Sequence, residues 1–529
     1  MTLHTHRFLA ALVLLAPLSV HAWFQPQLTL TPIGTYESGI FDDSAAEIVA
    51  YDPRTRRVFV VNAGLATVDV LDIRDPSNPT LIESIDVTAA ADSLGEANSI
   101  DVSRGILAVA IARDPEQLNG IVAFYDTRSL TLLGTVDVGA LPDMLTFTDN
   151  GKTVLVANEG EPDDDYVVDP EGSISIIDIR RGVHRARVRT ADFKAFNAHK
   201  DALIAAGVRI FGPNATVAQD LEPEYITIDA NGRIAYVALQ EANALAIVNI
   251  RRAKVIDIVP LGTKDHSVPG NELDASNRDD GINIRNWPVV GMYQPDAIAS
   301  FSAYGQTFIA TANEGDSRDY DGFSEEERVG DLALDPNDYP DAVNLQLDEN
   351  LGRLQSTTAT GDLDGDGLID LIHSYGARSF SIFDRHGSLV YDSGADFENI
   401  TANLLPDDFN STNDENDSFD NRSDDKGPEP EGIVVGRFLG QTLAFIGFER
   451  IGGIAVYNVS NPYHPRFETY VNNRDFSVED VTAGGAGDLG PEGLTYIPWY
   501  LSPNFRPLLI VGAEVSGTTT VYQLGIRFF

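Results

Sequence analysis

Short hydrophobic runs recur along the chain in groups of four, separated by turn residues and opened by a polar side chain. In the first group Glu47 opens a β-rich run, a turn follows at residues 53–56, and further runs cover residues 58–62, 66–73 and 80–87. Runs of this length, bounded by Gly, Pro, Asn and Asp, are typical of β-strands. The pattern restarts at Asn98, Asp143, Glu224, Asp296, Glu431 and Glu492.

Seven repeated four-stranded units predict an all-β fold, and specifically a seven-bladed β-propeller. After Glu492 only three strands remain, and residues 28–37 resemble the fourth strands of earlier units. We therefore predict that the N-terminal strand closes the last blade and hides both sheet edges. We predict one domain, residues 23–529. The uneven spacing of the units predicts long insertions within it, partly helical and partly polar loops, at about 181–220, 263–293, 316–375 and 395–428.

The N-terminal segment, residues 1–22, has the features of a secretory signal peptide. A weakly positive start at His4, His6 and Arg7 precedes a short apolar stretch and the small-residue site Val20-His21-Ala22. The apolar stretch is too short to span a bilayer comfortably, and we expect no membrane span elsewhere. The sequence thus predicts a secreted protein, periplasmic or extracellular, with an uncleaved anchor as the alternative.

Charge and cysteine content narrow the function classes. Lys and Arg total 37 against 80 Asp and Glu, a formal net charge of −43. This balance argues against nucleic-acid binding, which needs a basic face, and suits a protein that collects cations. The chain has no cysteine, which excludes disulfides, thiolate metal sites and cysteine nucleophiles.

Carboxylates occupy most of the positions that open the predicted innermost strands. These strands line the central channel of a propeller, so their first side chains would form a ring at one mouth: Glu47, Asn98, Asp143, Glu224, Asp296, Glu431 and Glu492. The antiparallel second strands end at the same face, where the chain carries Glu159, Glu449 and Glu514. Such a concentration of acids needs cations or protons. Oxygen ligands favour Ca²⁺, with Mg²⁺ or another hard divalent cation as an option, whereas acids that only accept hydrogen bonds from turn amides need no metal.

A local motif adds a second metal prediction. Asp362, Asp364, Asp366 and Asp370 occupy positions 1, 3, 5 and 9 of an EF-hand-type loop with Gly at position 6. The Glu expected at position 12 is replaced by His373. We predict that this loop binds Ca²⁺ and orders the surrounding insertion.

Three arginines stand out in this acidic setting: Arg318, Arg378 and Arg450. An arginine beside a bound cation is a common way to hold a phosphate or carboxylate oxyanion. Ion pairing with nearby acids is the alternative. The sequence contains no Gly-rich phosphate loop, Gly-x-Ser-x-Gly elbow or His-Glu-x-x-His helix.

Several motifs together resemble the choice-of-anchor I family of bacterial β-propellers, across nearly all of the mature chain: residues 156–162 (VANEGEP), 312–321 (ANEGDSRDYD), 362–370, 375–383 (YGARSFSIF), 413–417 (NDEND) and 427–432 (GPEPEG). The family is similar to mesenchyme-specific cell-surface glycoproteins and is often described as alkaline-phosphatase-like. The resemblance implies a secreted propeller and, as one hypothesis, a Ca²⁺-dependent phosphoesterase acting on phosphorylated small molecules.

In that hypothesis Ca²⁺ polarises phosphoryl oxygens and activates a water molecule. Arg318 and Arg450 would stabilise charge, and Glu314 would be the general base. The alternative is a non-catalytic, calcium-loaded protein that binds ligands or mineral at a cell surface.

Overall fold

The computed structural model describes residues 26–528, which form an all-β, propeller-like arrangement of antiparallel four-stranded sheets. The predicted signal peptide, residues 1–22, lies outside the described residues.

We number the sheets 1 to 7 in chain order. Sheet 1 contains Val49–Asp52, Arg57–Asn62, Thr67–Asp72 and Thr80–Asp86. Sheet 2 contains Leu94–Ser103, Ile106–Arg113, Asn119–Asp126 and Leu132–Ala140. Sheet 3 contains Pro142–Phe147, Thr153–Asn158, Ser173–Asp178 and Arg187–Asp192.

The next three sheets follow the same order but carry the longer inserted segments. Sheet 4 contains Ile226–Ile228, Ile234–Leu239, Ala244–Asn249 and Lys254–Pro260. Sheet 5 contains Ile298–Ala303, Gln306–Asn313, Ser379–Asp384 and Leu389–Asp392. Sheet 6 contains Pro430–Phe438, Gln441–Phe448, Ile454–Asn458 and Arg466–Val471.

Sheet 7 combines strands from opposite ends of the described chain. Its first three strands are Pro491–Ile497, Leu508–Ala513 and Thr518–Phe528. The fourth is Pro26–Glu37, which pairs antiparallel with Thr518–Phe528, so that Glu37 lies opposite Thr518. The strand nearest the N-terminus therefore covers an edge that would otherwise present unpaired backbone groups.

The second strand of each sheet is a continuous hydrophobic run because both of its faces are buried. In sheet 1, Phe59 and Val61 pack with residues of sheet 2. Val58 and Val60 point the other way and pack with residues of sheet 7. The first strands of successive sheets contact one another, and the first strand of sheet 7 contacts that of sheet 1.

The inserted segments contain short elements of their own. The α-helices are Lys200–Ala206, Val217–Asp220, Ala342–Leu345 and Asp396–Leu404. Short 3₁₀ helices occur at Thr88–Ala90, Val183–Arg185, Lys194–His199, Val329–Asp331 and Val481–Ala483. A three-stranded sheet contains Thr263–Asp265, Val290–Met292 and His373–Ser374. Two-stranded pairs are formed by Asp319–Tyr320 with Phe323–Ser324 and by Glu326–Arg328 with Gln355–Thr357.

The predicted insertions 263–293 and 316–375 thus contain strands as well as polar loops. The predicted boundary of insertion 181–220 was wrong at its start, because Arg187–Asp192 is the fourth strand of sheet 3. Its side chains are mostly polar and exposed, as an outer strand allows, so the hydrophobic pattern did not reveal it. Between residues 26 and 528, none of the helices has the length and apolar character needed to cross a membrane.

Candidate functional site

The predicted ring carboxylates lie at or just before the start of the first strands. Asp143, Glu431 and Glu492 each follow the proline that opens the first strand of sheets 3, 6 and 7. In all three sheets the pairing register shifts immediately after that proline. Such an irregularity re-aims a side chain out of the regular ladder. Glu224 and Asp296 instead sit two residues before their strands, which begin at Ile226 and Ile298.

The fold brings these side chains together with acids from the ends of the second strands. In each of four groups, one carboxylate oxygen per residue lies within 4.8 Å of the others: Glu47–Glu492–Glu514, Glu159–Glu224–Glu241, Asp296–Glu314–Glu431 and Glu314–Glu429–Glu449. Asp143 interacts electrostatically with Glu47, Glu159, Glu224 and Asp296, which links the groups. We call these residues together the acidic mouth.

Burial and mutual repulsion shift the acidic mouth toward protonation. Burial, reinforced by Glu514 and Asp143, raises the pKa of Glu47 to about 8 although Ser44 donates a hydrogen bond. Burial raises the pKa of Asp143 to about 6. Burial first, and then neighbouring carboxylates, raise the pKa of Glu224 and Glu492 well above the usual range. Each shift measures how strongly the site resists uncompensated negative charge.

Four carboxylates of the acidic mouth also have a buried oxygen without a hydrogen-bond partner among the described residues: Glu224, Glu241, Glu431 and Glu492. Leaving such an oxygen unpaired is costly. A hard divalent cation would satisfy it, because carboxylate oxygens are the ligands that Ca²⁺ prefers. The donor set therefore fits the metal type predicted from the sequence.

Fixed basic side chains neutralise only one part of the acidic mouth. Lys426 Nζ lies 2.8 Å from Glu314 Oε1 and 3.3 Å from Glu429 Oε2. Arg450 lies 3.0 Å from Glu429 and 3.1 Å from Glu449. Burial alone would raise the pKa of Glu429, yet Lys426, Arg422 and Arg450 lower it to about 2. Glu429 is therefore an ionised carboxylate held by three cations.

This neutralised part borders an open pocket of about 440 Å³, whose lining includes Glu314, Lys426, Glu431, Glu449, Arg450 and Glu514. About a quarter of the Arg450 side chain, 27%, is exposed, and its guanidinium also donates to Asn413 at 3.1 Å. The pocket thus presents carboxylates and cationic groups to the same space.

Arg318 has a different role from the one predicted. Its guanidinium is 1% exposed, donates to Asp220 at 2.8 Å and 2.9 Å, and donates to Glu222 at 3.1 Å. It also lies over the Phe211 ring. A buried arginine bound by two acids fixes the insertions to each other, which is the ion-pairing alternative to a phosphate-stabilising role. Arg378 is likewise buried and paired with Glu398, at 2.7 Å.

Glu314 lies in the acidic mouth, but both of its carboxylate oxygens are engaged. Oε1 accepts from Lys426 at 2.8 Å, and Oε2 accepts from Gln240 at 3.2 Å. Glu314 is therefore held in place by an ion pair and an amide hydrogen bond.

The predicted calcium loop, residues 362–370, is an exposed turn. Both carboxylate oxygens of Asp362 accept backbone N–H groups, from Gly365 at 2.7 Å and Gly367 at 2.9 Å. The neighbouring charge of Asp366 raises the pKa of Asp364. Asp370 belongs to a further three-carboxylate group with Asp335 and Asp338. The partners of Asp370 lie in a segment that the sequence motif did not include.

His373, at position 12 of the motif, lies in the strand His373–Ser374 and has its Nδ1 3.0 Å from the carbonyl of Leu371. Burial lowers the pKa of His373 to about 4, so it is neutral at physiological pH.

Sequence reasoning missed Lys426, Arg422 and Glu429. Lys426 stands just before the motif GPEPEG, and Glu429 lies within it. A signal was available, because a single lysine ends the long acidic run shortly before a predicted strand. The acidic run, residues 407–425, has the composition of a solvated surface. Several of its residues are buried instead, among them Asn410, Asp420 and Asp424.

A comparison with protein families identifies the group to which this architecture belongs. The family model for the choice-of-anchor I domain matches residues 47–462, which include sheets 1 to 5 and the first three strands of sheet 6. The chain belongs to the choice-of-anchor I domain family.

Two curated relatives and one solved structure illustrate the range of similarity. Gigasin-3a of Magallana gigas is 32% identical over 192 residues, which cover 34% of this choice-of-anchor I chain and 67% of Gigasin-3a. A mesenchyme-specific cell surface glycoprotein of Strongylocentrotus purpuratus is 29% identical over 291 residues, or 47% of this chain and 36% of that protein. The chain therefore spans only about a third of the glycoprotein. The WD40 domain of Toxoplasma gondii coronin is 11% identical, with a TM-score of 0.44 and coverage of 94% of this chain and 86% of that one.

Proposed function

We propose that this protein is a calcium-binding β-propeller that acts outside the cell and holds Ca²⁺ at its acidic mouth. The seven four-stranded sheets would be the blades of one ring. Contacts between the first strands of sheets 1 and 7, and a shared hydrophobic cluster, support this closure. The strand Pro26–Glu37 would complete the last blade. A location outside the cell is supported by the predicted signal peptide and by similarity to a protein described as a cell surface glycoprotein.

The observation that carries the proposal is the set of converging carboxylates with unpartnered buried oxygens. Acids from six of the sheets and their flanking segments meet there, and Lys426 and Arg450 contact only the groups around Glu314 and Glu429. The remaining acids need a counter-charge, which protons supply at low pH and cations supply at neutral pH. Ca²⁺ suits flexible, oxygen-only ligands better than Zn²⁺, which favours nitrogen and sulfur.

The pocket beside Arg450 indicates which class of ligand the proposed calcium site would bind. A divalent cation held by Glu431 and Glu449 would face the same space as the Arg450 guanidinium. That combination binds anionic oxygens, such as those of a phosphate or carboxylate group. We therefore propose that the mouth binds an anionic ligand through Ca²⁺ and Arg450.

Phosphoester hydrolysis is the second candidate, and Arg450 is the observation that favours it. A partly exposed arginine beside a metal site can stabilise the charge that develops on a phosphoryl group. Glu431 and Glu449 would hold the Ca²⁺, which would supply Lewis-acid polarisation of the phosphoryl oxygens. The calcium loop at residues 362–370 would be a separate site that orders the insertion of sheet 5.

Calcium titration by calorimetry, combined with phosphatase assays on the same preparation, tests both candidates. We expect chelator-treated protein to bind Ca²⁺, and Glu431→Gln and Glu449→Gln to weaken that binding by about tenfold or more. Glu83→Gln is the matched control, because Glu83 is exposed on the outer strand of sheet 1. Turnover of p-nitrophenyl phosphate that requires Ca²⁺ and is lost in Arg450→Met supports the enzyme. Calcium binding without turnover supports the binding protein, and wild-type protein that binds no Ca²⁺ contradicts both.

A further inference from the structure

We infer that Glu159, Glu224 and Glu241 form a buried site that holds one largely dehydrated Ca²⁺. This ion would exchange with solvent more slowly than the ions at the open pocket. We call these three residues the buried triad. The inference deepens the proposed function and rests on it, because both require calcium, but it concerns a structural ion that fastens inserted segments to the sheets.

The geometry of the buried triad supplies the first argument. One carboxylate oxygen from each residue lies within 4.8 Å of the other two. The residues are only 9% (Glu159), 7% (Glu224) and 3% (Glu241) exposed. Glu224 and Glu241 each have a buried Oε2 with no hydrogen-bond partner among the described residues. These unpartnered oxygens are a separate indication of a ligand, because nearly all buried polar atoms in proteins are paired.

The backbone holds the three side chains at fixed strand ends. Glu159 follows the second strand of sheet 3, and its N–H donates to Leu141 at 2.8 Å. Glu224 precedes the first strand of sheet 4, and its N–H donates to Ala238 at 3.2 Å. Glu241 follows the second strand of sheet 4, and its carbonyl accepts from Arg209 at 2.7 Å. Ligands mounted on rigid strand ends cannot easily move apart to relieve their repulsion.

Among the described residues, no basic side chain forms an ion pair with a carboxylate of the buried triad, and Arg209 contacts only the backbone carbonyl of Glu241. Arg318 acts on Glu241 electrostatically, but its hydrogen bonds go to Asp220 and Glu222. The charge of Arg318 is thus already balanced by two other acids. The groups around Glu314 and Glu429 differ, because Lys426 and Arg450 bind them directly. The buried triad is therefore less compensated by basic side chains than the groups around Glu314 and Glu429.

Ion chemistry selects Ca²⁺ for this position. Three glutamates that each bind through both oxygens supply about six oxygen ligands, within the range that Ca²⁺ accepts. Mg²⁺ keeps several of its waters, for which a buried all-carboxylate site gives little room. Zn²⁺ favours nitrogen and sulfur ligands and a lower coordination number.

The surroundings of the buried triad explain what the ion would stabilise. Glu161, two residues after Glu159, accepts a hydrogen bond from Tyr320 at 3.0 Å, in the inserted pair of strands. Arg209, which binds the carbonyl of Glu241, also pairs with the buried carboxylate of Glu325. Loss of the ion would repel Glu159 from Glu241 and loosen the inserted residues 193–225 and 314–378.

The test combines calcium exchange with variants of the full chain. Wild-type protein loaded with radioactive ⁴⁵Ca²⁺ should retain one slowly exchanging ion after gel filtration into unlabelled Ca²⁺, while the pocket ions wash out. Glu241→Gln and Glu224→Gln should remove the slow ion and keep the fast sites. Glu449→Gln should weaken a fast site and keep the slow ion. A slow ion that persists in both triad variants overturns the inference.

A wild-type measurement covers the case in which the triad variants fail to fold. With Tb³⁺ as the Ca²⁺ analogue, luminescence lifetimes in H₂O and D₂O count the waters on each bound ion. We expect one population with roughly one water or none, because the triad is buried and supplies the ligands itself. Fast calcium sites without a slow or dehydrated ion overturn this inference alone. Absence of any calcium binding overturns the proposed function together with it.

Discussion

Lys426 Nζ lies 2.8 Å from Glu314 Oε1, and the same ammonium group donates to the carbonyl of Gly315 at 2.8 Å. This contact joins the segment before sheet 6 to the end of the second strand of sheet 5. It places a permanent positive charge among carboxylates that otherwise repel one another. One part of the acidic mouth thus has built-in basic side chains, and we propose that the other part depends on dissolved cations.

Replacing this lysine should expose that dependence. Lys426→Met leaves Glu314 without its cationic partner and Glu429 with two of its three, so we expect the free energy of unfolding in chelator to fall by about 3–5 kcal/mol. The loss should be smaller with Ca²⁺, because a cation can take the place of the ammonium group. Denaturant unfolding in both buffers measures the difference.

The matched control for that variant is Lys194→Met. Lys194 pairs with Glu171 at 2.7 Å, but its side chain is 59% exposed, and solvent screens exposed ion pairs so that they contribute little to stability. Equal effects of the two substitutions would contradict the role assigned to Lys426.

The metal-free protein should lose stability as pH rises. The folded state raises the pKa of Glu47 from 4.5 to about 8 and that of Asp143 from 3.8 to about 6. For each group, at pH values between its unfolded-state pKa and its folded-state pKa, the folded protein binds more protons than the unfolded chain. The stabilisation is therefore present at low pH and disappears as pH rises through the folded-state pKa.

Urea unfolding at several pH values between about 5 and about 8, with chelator and with Ca²⁺, checks this expectation. Ca²⁺ should flatten or reverse the trend, because it binds the deprotonated carboxylates. A metal-free protein that becomes more stable across the same range would show that the carboxylates are neutralised in another way.

The loop at residues 362–370 should bind its own ion. Asp364→Asn removes one of the loop's carboxylates, so we expect one calcium site to weaken by about tenfold or more while the others persist. In chelator the variant should be no less stable than wild type, because Asp364 is exposed and repelled by Asp366.

Calorimetric stoichiometry and thermal unfolding together give the readout for the loop. Asp137→Asn is the control, since the Asp137 side chain is 84% exposed. Unchanged stoichiometry in Asp364→Asn would remove the loop from the set of metal sites.

The N-terminal strand should contribute strongly to stability. Leu30 is 4% exposed and packs in the hydrophobic cluster between sheets 6 and 7. Leu30→Ala should lower the free energy of unfolding by about 2–4 kcal/mol, because it leaves a cavity. Leu81→Ala, on an outer strand and 45% exposed, should change it by less than about 0.5 kcal/mol. Similar effects in the two variants would indicate that Pro26–Glu37 is dispensable.

Much of the sheet arrangement was predictable because it repeats. The hydrophobic second strands, such as Val58–Val61, are buried on both faces and therefore stand out in the sequence. The outer strand Arg187–Asp192 escaped prediction because its polar, exposed side chains carry no such signal.

The carboxylates of the candidate site were also predictable, because antiparallel strands bring residues such as Glu431 and Glu449 to the same end of a sheet. The basic side chains that pair with these and other acids could not be predicted. Lys426 reaches Glu314 from 112 residues away, and Arg318 reaches Asp220 from 98 residues away. Those partnerships depend on how the insertions fold over the sheets, which no local pattern encodes.

The pairing of Pro26–Glu37 with Thr518–Phe528 has a consequence for biogenesis. Thr518–Phe528 leaves the ribosome long after Pro26–Glu37, so the earlier strand must wait for its partner while all the sheets between them are synthesised. Non-local pairing of this kind is slow and leaves strand edges exposed in the meantime. Export of the chain before it folds would confine that vulnerable interval to the compartment where calcium is plentiful.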